Sequence, residues 1–227
     1  MRDFLKKLIS KIGVDFVERA LALSILSQKF YEARLAKLYP SRESMWEDAV
    51  NLYNNQSITF LEFGVWEGYS INKFSEFSKH QDSKFFGFDS FTGLPEDWVG
   101  IFKQGAFDKG GIIPNVQDTR IKFIKGWFQN TLPEFLDQNS SSISGNLIVH
   151  YDADLYSSTL FCLNAIDALK IDYIAVFDEF AGHEARALYN YCQMSGAKVK
   201  FLGRAGEARH ASQMMCRMMP AKKFEIE

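Results

Sequence analysis

The sequence predicts an α/β fold: a largely parallel sheet of about seven strands, covered by helices on both faces, with an antiparallel C-terminal strand and a helical N-terminal extension. Three observations predict it. From Ser57 onward, short β-rich runs alternate with amphipathic helical stretches, the pattern of parallel strands joined by crossover helices. The last two runs are separated by a short helix-free connection, GRAGEARHA, which cannot hold a crossover helix and so makes an antiparallel pair. Residues 1–55 carry helical periodicity throughout.

In chain order, Leu5, Leu8 and Ile9 start an apolar stripe that FVERALALSILSQKFYEARLAKL continues. Pro40 and Ser41 end that helix and cap the next, SRESMWEDAVNLYNN. The strand runs are ITFLEFG (58–64), KFFGFD (84–89), RIKFIKG (120–126), NLIVHYD (146–152), YIAVFDE (173–179), KVKFLG (198–203) and SQMMCRM (212–218). Between them lie the helical stretches INKFSEFSKHQ, LPEFLDQ, LFCLNAIDALK and HEARALYNYCQMSG. The glycine-containing region 98–116 is the best candidate for a mobile loop beside the site. The division expected is a helical lid or dimerisation segment over 1–56 and one α/β domain over 57–227.

Composition bounds the function classes. The 227 residues are 47% hydrophobic and 24% charged, enough to fill one sizeable core. Most of the 21 Phe are expected to pack the two faces of the sheet. A net charge of −2 with no basic block gives no reason to expect a nucleic-acid partner. No apolar run approaches the roughly 20 residues of a membrane span. Cys162, Cys192 and Cys216 are odd in number and dispersed, which fits reduced thiols and a cytoplasmic location.

The most informative motifs are two acidic turns, HYDADLYSST (150–159) and AVFDEF (175–180), each following a run of β-formers. Open α/β sheets bind ligands where their strands end, so Asp152, Asp154, Asp178 and Glu179 can meet at one site although a helix separates the two segments. Clustered carboxylates repel one another unless a cation neutralises them, which points to a divalent metal with oxygen ligands, Mg²⁺ first. The alternative is helix capping by Asp154 and plain solvation of Glu179. The first strand leads into LEFGVWEGYS, where the spacing Gly-x-x-x-Gly and an acid inside the turn, Glu62, disfavour a dinucleotide diphosphate. Asp89 ends the second strand, the usual place of a ribose-binding acid, or else caps a turn before Pro95. His183, four residues after Glu179, is either a base or substrate contact, or a solvent-facing residue at a helix start. His150 alternates onto the same strand face as Asp152 and reads as a core histidine.

The motifs ExGVWxG, GFDSFxGLPE, GWFxNTLPEF, DADLYSST and FDEF together resemble the macrocin-type sugar O-methyltransferases, which belong to the S-adenosylmethionine-dependent methyltransferases of Rossmann-like fold. The similarity spans residues 58–190. It implies that Glu62, Gly64, Gly68 and Ser70 line the methionine part of S-adenosylmethionine, and that Asp89 with Ser90 meets the ribose. It also implies that Gly126 and Trp127 lie near the adenine and that Asp152 borders the cofactor. Asp152 and Asp178 match two metal-ligand positions, and Glu179 stands at the third, where the family commonly has Asp. Asp154 matches the general base. The Lys that catechol-type relatives use is replaced by Leu155. The expected reaction is metal-dependent O-methylation of a hydroxyl on a small-molecule or saccharide acceptor, by a chain that forms a homodimer. The alternative is a binding or scaffold protein that keeps the fold and has no catalysis.

Overall fold

The structure, a computed structural model, describes residues 14–98, 102–143, 145–207 and 210–221. The expected stripe over Leu5, Leu8 and Ile9 lies outside these residues. Eight strands form one sheet in the order β1-β7-β8-β6-β5-β2-β3-β4. They are β1 (Lys37–Tyr39), β2 (Thr59–Phe63), β3 (Lys84–Asp89), β4 (Ile121–Lys125), β5 (Leu147–Tyr151), β6 (Tyr173–Phe177), β7 (Lys198–Glu207) and β8 (His210–Met219). All neighbours pair in parallel except β8, which runs antiparallel to both β6 and β7. The seven expected runs are all present.

Two features differ from expectation. The helical periodicity of 1–55 hides an eighth strand, β1, whose three residues pair with Gly203–Ala205 at the sheet edge. A strand this short has no periodicity of its own, and its pairing partner lies more than 160 positions away in sequence. The connection expected between the last two runs is also mostly strand, because β7 and β8 extend pairing to Glu207 and His210.

The helices are α1 (Val14–Gln28), α2 (Arg42–Asn51), α3 (Tyr69–Phe77), α4 (Phe128–Asn139), α5 (Tyr156–Asp167) and α6 (Ala185–Ser195). Ser41 caps α2 as expected, its hydroxyl accepting from the Ser44 amide at 3.1 Å while the Ser44 hydroxyl accepts from the Ser41 amide. Alternation along the strands divides the core in two. Leu61, Phe63, Phe88, Val149, Tyr151 and Phe177 pack under α1, α4, α5 and α6. Phe60, Phe85, Ile148 and Val176 pack under α2 and α3, against Trp46 and Phe74. Residues 42–51 therefore share a core with the sheet. Phe60, Phe63, Phe74, Phe85, Phe88, Phe91, Phe177 and Phe180 are fully buried, as the composition suggests.

Candidate active site

The strand ends place the acidic turns side by side. Hydrogen bonding continues past the ends of β2, β3, β5 and β6: Gly64 N donates to Phe88 O (3.0 Å), Asp152 N to Phe63 O (2.9 Å) and Asp178 N to Tyr151 O (3.0 Å). These bonds hold Asp152, Asp178 and the glycine turn against one another at the carboxyl edge of the sheet. Gly64 has φ +96°, and a Cβ there would lie 1.8 Å from Asp152 O. Only a glycine lets the turn after β2 pass so close to the end of β5.

A cleft of about 320 Å³ opens above this edge. Gly64, Asp89, Ser90, Trp127, Asp152, Asp154, Asp178 and Glu179 all line it. Asp178 and Glu179 also line a second cavity of about 430 Å³, bounded by Pro40–Arg42, Ala205, Gly206 and Gln213. The remaining expected contacts are not among its lining residues. Glu62, expected inside the turn, lies within β2 and is fully buried, and Ser70 is buried too. Gly68, at φ +79°, starts α3, and Gly126 precedes Trp127. His183 sits in a five-residue π-helical turn, Phe180–Glu184, and its Nδ1 accepts a long bond (3.4 Å) from the Tyr156 amide.

Asp89 does more than end a strand. Its Oδ2 accepts from the Val65 and Trp66 amides (2.8 and 2.9 Å) and its Oδ1 from Phe91 N (2.7 Å), so one carboxylate ties the glycine turn to the loop after β3. That loop packs on itself: Leu94 and Gly105 exchange backbone bonds with Ala106 and Leu94, and a Cβ on Gly93 would lie 2.4 Å from Gly105 O. Trp98 and Phe102 stack at 5.1 Å, Phe107 packs on both, and Phe107 meets Trp66 edge-on at 6.5 Å. Lys109 joins the flap to the glycine turn through Glu67 at 2.8 Å. The region expected as a mobile loop thus contributes an aromatic wall to the cleft, a role its Trp and Phe content could have signalled.

The electrostatics are those of crowded acids. Burial, then the charges of Asp178, Asp154, Glu62 and Glu184, hold Asp152 well above the usual carboxylate range. Asp154 is pushed up to about 7, first by burial and then by Glu179, Asp178 and Asp89. It has a left-handed backbone (φ +58°), and the start of α5 has no side-chain cap, so its carboxylate is not spent on helix capping. Glu179 is raised by burial and by Asp178. Glu184, which the sequence does not single out, is fully buried and raised well above its ordinary value by burial and then by Asp178. Its Oε2 accepts from the Glu179 amide at 3.0 Å.

The donor set suits a divalent cation. Ligand atoms of His150, Asp152 and Asp178 lie within 4.8 Å of one another, with Glu179 beside them on the cleft wall. His150 Nε2 is buried with no hydrogen-bond partner, as expected of an atom that faces an ion. The cleft also suits S-adenosylmethionine, because acids line a space that would receive a sulfonium and an ammonium, with Trp127 as an aromatic face in the same lining.

No family model matches the sequence, and no curated protein matches it. Solved structures do match. The calicheamicin methyltransferase CalS11 is 18% identical, over 95% of this chain and 90% of its own, with a TM-score of 0.57. The O-methyltransferase NovP is 15% identical, over 88% of this chain and 98% of its own, with a TM-score of 0.52. TomG from Streptomyces achromogenes, an O-methyltransferase involved in tomaymycin synthesis and solved with SAM, is 11% identical over 92% and 100%, with a TM-score of 0.51. The chain has the Rossmann-like methyltransferase fold.

Proposed function

We propose that the protein is an S-adenosylmethionine-dependent O-methyltransferase acting, with a divalent cation, on a hydroxyl of a sugar or glycosylated metabolite. The observation that carries this reading is the convergence of Asp89, Asp152, Asp154, Asp178 and Glu179 with the Gly64 turn in one cleft. When bound, S-adenosylmethionine supplies a methyl group on a positively charged sulfur, and a divalent cation supplies charge that makes a hydroxyl more acidic.

The chain's own residues divide the remaining work. Gly64, Gly68 and Ser70 form the methionine end with Glu62 buried on β2 beneath them, Asp89 and Ser90 orient the ribose, and Gly126 and Trp127 border the adenine. Asp152, Asp178 and Glu179 hold the cation, Mg²⁺ or another oxygen-preferring ion. Asp154, beside these ligands and raised by burial in the metal-free site, is placed to take the acceptor's proton. The aromatic flap excludes water. Two cavities meeting at Asp178 and Glu179 leave room for donor and acceptor on either side. Similarity to a calicheamicin methyltransferase supports a small-molecule acceptor. The N-terminal segment acts as a lid or homodimer contact, since α1 leaves Phe16, Leu21 and Leu23 exposed.

Calorimetry with S-adenosylmethionine, followed by methyl transfer to candidate glycosides with and without EDTA, tests the reading. Saturable cofactor binding and chelator-sensitive transfer are expected. Full activity in EDTA removes the metal role, and absence of cofactor binding leaves a non-catalytic binding protein.

A further inference from the structure

His150 combines three features that together give it a task. It sits on β5, two residues before Asp152 and in register with Glu62 on β2. Its ring is fully buried, with Nδ1 2.9 Å from Glu62 Oε1. Its Nε2 has no hydrogen-bond partner and lies 4.0 Å from Asp178 Oδ1, too far for a hydrogen bond.

Dry surroundings sharpen the problem. Trp46 and Phe74 pack on the ring, each with centroids 5.7 Å away. Trp46 Nε1 donates to Gln213 Oε1 (2.8 Å), and Gln213 donates in turn to Asp178 Oδ1, which fixes that carboxylate beside the imidazole. A buried imidazole nitrogen without a partner, beside two half-buried carboxylates whose ligand atoms lie within 4.8 Å of it, calls for a common partner.

We propose that His150 Nε2 is a ligand of the cation, together with Asp152 and Asp178, and that Glu62 is the carboxylate that orients the ring. The inference rests on the metal reading above and deepens it. Metal-bound imidazoles characteristically donate their other ring N–H to a carboxylate, which sets the tautomer and raises ligand basicity. Two atoms each about 2.1 Å from one ion are at most about 4.2 Å apart; the His150–Asp178 separation of 4.0 Å lies within that span, and the cluster as a whole, within 4.8 Å, draws in slightly on binding. The ion also supplies positive charge near Glu62, whose buried carboxylate has one oxygen, Oε2, without a hydrogen-bond partner. A nitrogen ligand changes the preferred metal. Imidazole with carboxylates favours transition ions such as Zn²⁺, Fe²⁺, Co²⁺ and, less strongly, Mn²⁺ over Mg²⁺ and Ca²⁺.

The test is Mn²⁺ titration of the purified, chelator-treated protein, read by calorimetry and by pulsed electron paramagnetic resonance. The wild-type spectrum should carry ¹⁴N modulation from one imidazole, and Mn²⁺ should bind at least 10-fold more tightly than Ca²⁺ or Mg²⁺. His150→Gln should abolish the modulation, and Glu62→Gln should weaken Mn²⁺ by about 10–100-fold. Bound Mn²⁺ without ¹⁴N modulation overturns the role of His150 and leaves a carboxylate-only metal site. No Mn²⁺ binding overturns both metal statements, while cofactor calorimetry decides the methyl-donor reading separately. If His150→Gln does not fold, the wild-type spectrum still decides.

Discussion

At the scale of single residues, Asp154 bears the clearest conflict between stability and chemistry. A carboxylate in a left-handed backbone position, among other acids, costs stability, and the same crowding gives it a pKa of about 7. Asp154→Asn keeps the shape and removes the ability to take a proton. It should lower kcat by about 10²–10⁴-fold, with S-adenosylmethionine affinity within about threefold of wild type by calorimetry and a higher Tm by scanning fluorimetry. Wild-type turnover in this variant would move the base elsewhere. The residues of this site were unevenly legible. Asp152, Asp154, Asp178 and Glu179 stand out as acids after β-formers. His150 has the same strand context and reads as a core histidine, because the partner that gives it a direction, Glu62, is 88 positions away. Glu184 is met only once the irregular turn folds it back onto the Glu179 amide, and Gln213 only through Asp178 on the neighbouring strand end.

At the scale of elements, the two sides of the sheet are pinned by different devices. Arg120, just before β4, donates to the carbonyls of Ser75 (2.7 Å), Ser78 (2.8 Å) and His80 (2.9 Å), and pairs with Asp118 at 2.6 Å. One guanidinium thus closes the C-terminal end of α3 and fixes the start of β4. Arg120→Ala leaves carbonyls and a carboxylate without their donor and should cost about 2–3 kcal/mol in urea unfolding. Asp118 is held at about 2, first by the Arg120 hydrogen bonds. Its folded pKa is below the unfolded value near 3.9, so its contribution is present above about pH 4 and is lost as pH falls toward 2. Asp118→Asn should flatten the acid limb of stability over that window. The runs between Ser57 and Met219 were readable because the central strands β2, β5 and β6 are apolar and buried along their whole length, and the flanking runs are rich in β-formers between helical or turn-rich stretches. β1 was not, because three residues at an edge carry no pattern. The turn Phe180–Glu184 was not, because the helical stretch reads only from His183 onward and Gly182 (φ −130°, ψ −123°) breaks the helical backbone just before it.

At the scale of the whole molecule, the sheet order concentrates negative charge at one edge. Asp152, Asp154, Glu179 and Glu184 all have folded pKa values above their unfolded ones. Their stabilising contribution is therefore greatest at low pH and is lost as pH rises through the folded values, for Asp154 around 7. The metal-free protein should melt at a lower temperature at pH 8 than at pH 5.5, down to the acid limb set by Asp118. A divalent cation should raise Tm more at pH 8 than at pH 5.5, because binding requires ionised ligands. An equal Tm gain at both values would place the cation away from these carboxylates.

The sequence alone determined the alternation of strands and helices, the antiparallel closing pair, the glycine turn and the placing of acids at strand ends. These are local: each is written in a short stretch of periodicity or in a few adjacent residues. Only the tertiary structure decided that residues 42–51 share the core of the sheet, that the aromatic flap walls the cleft, and that His150 pairs with Glu62 while its other nitrogen faces Asp178. Those contacts join residues from different strands and loops, and strand order, which no single segment encodes, sets which of them become neighbours.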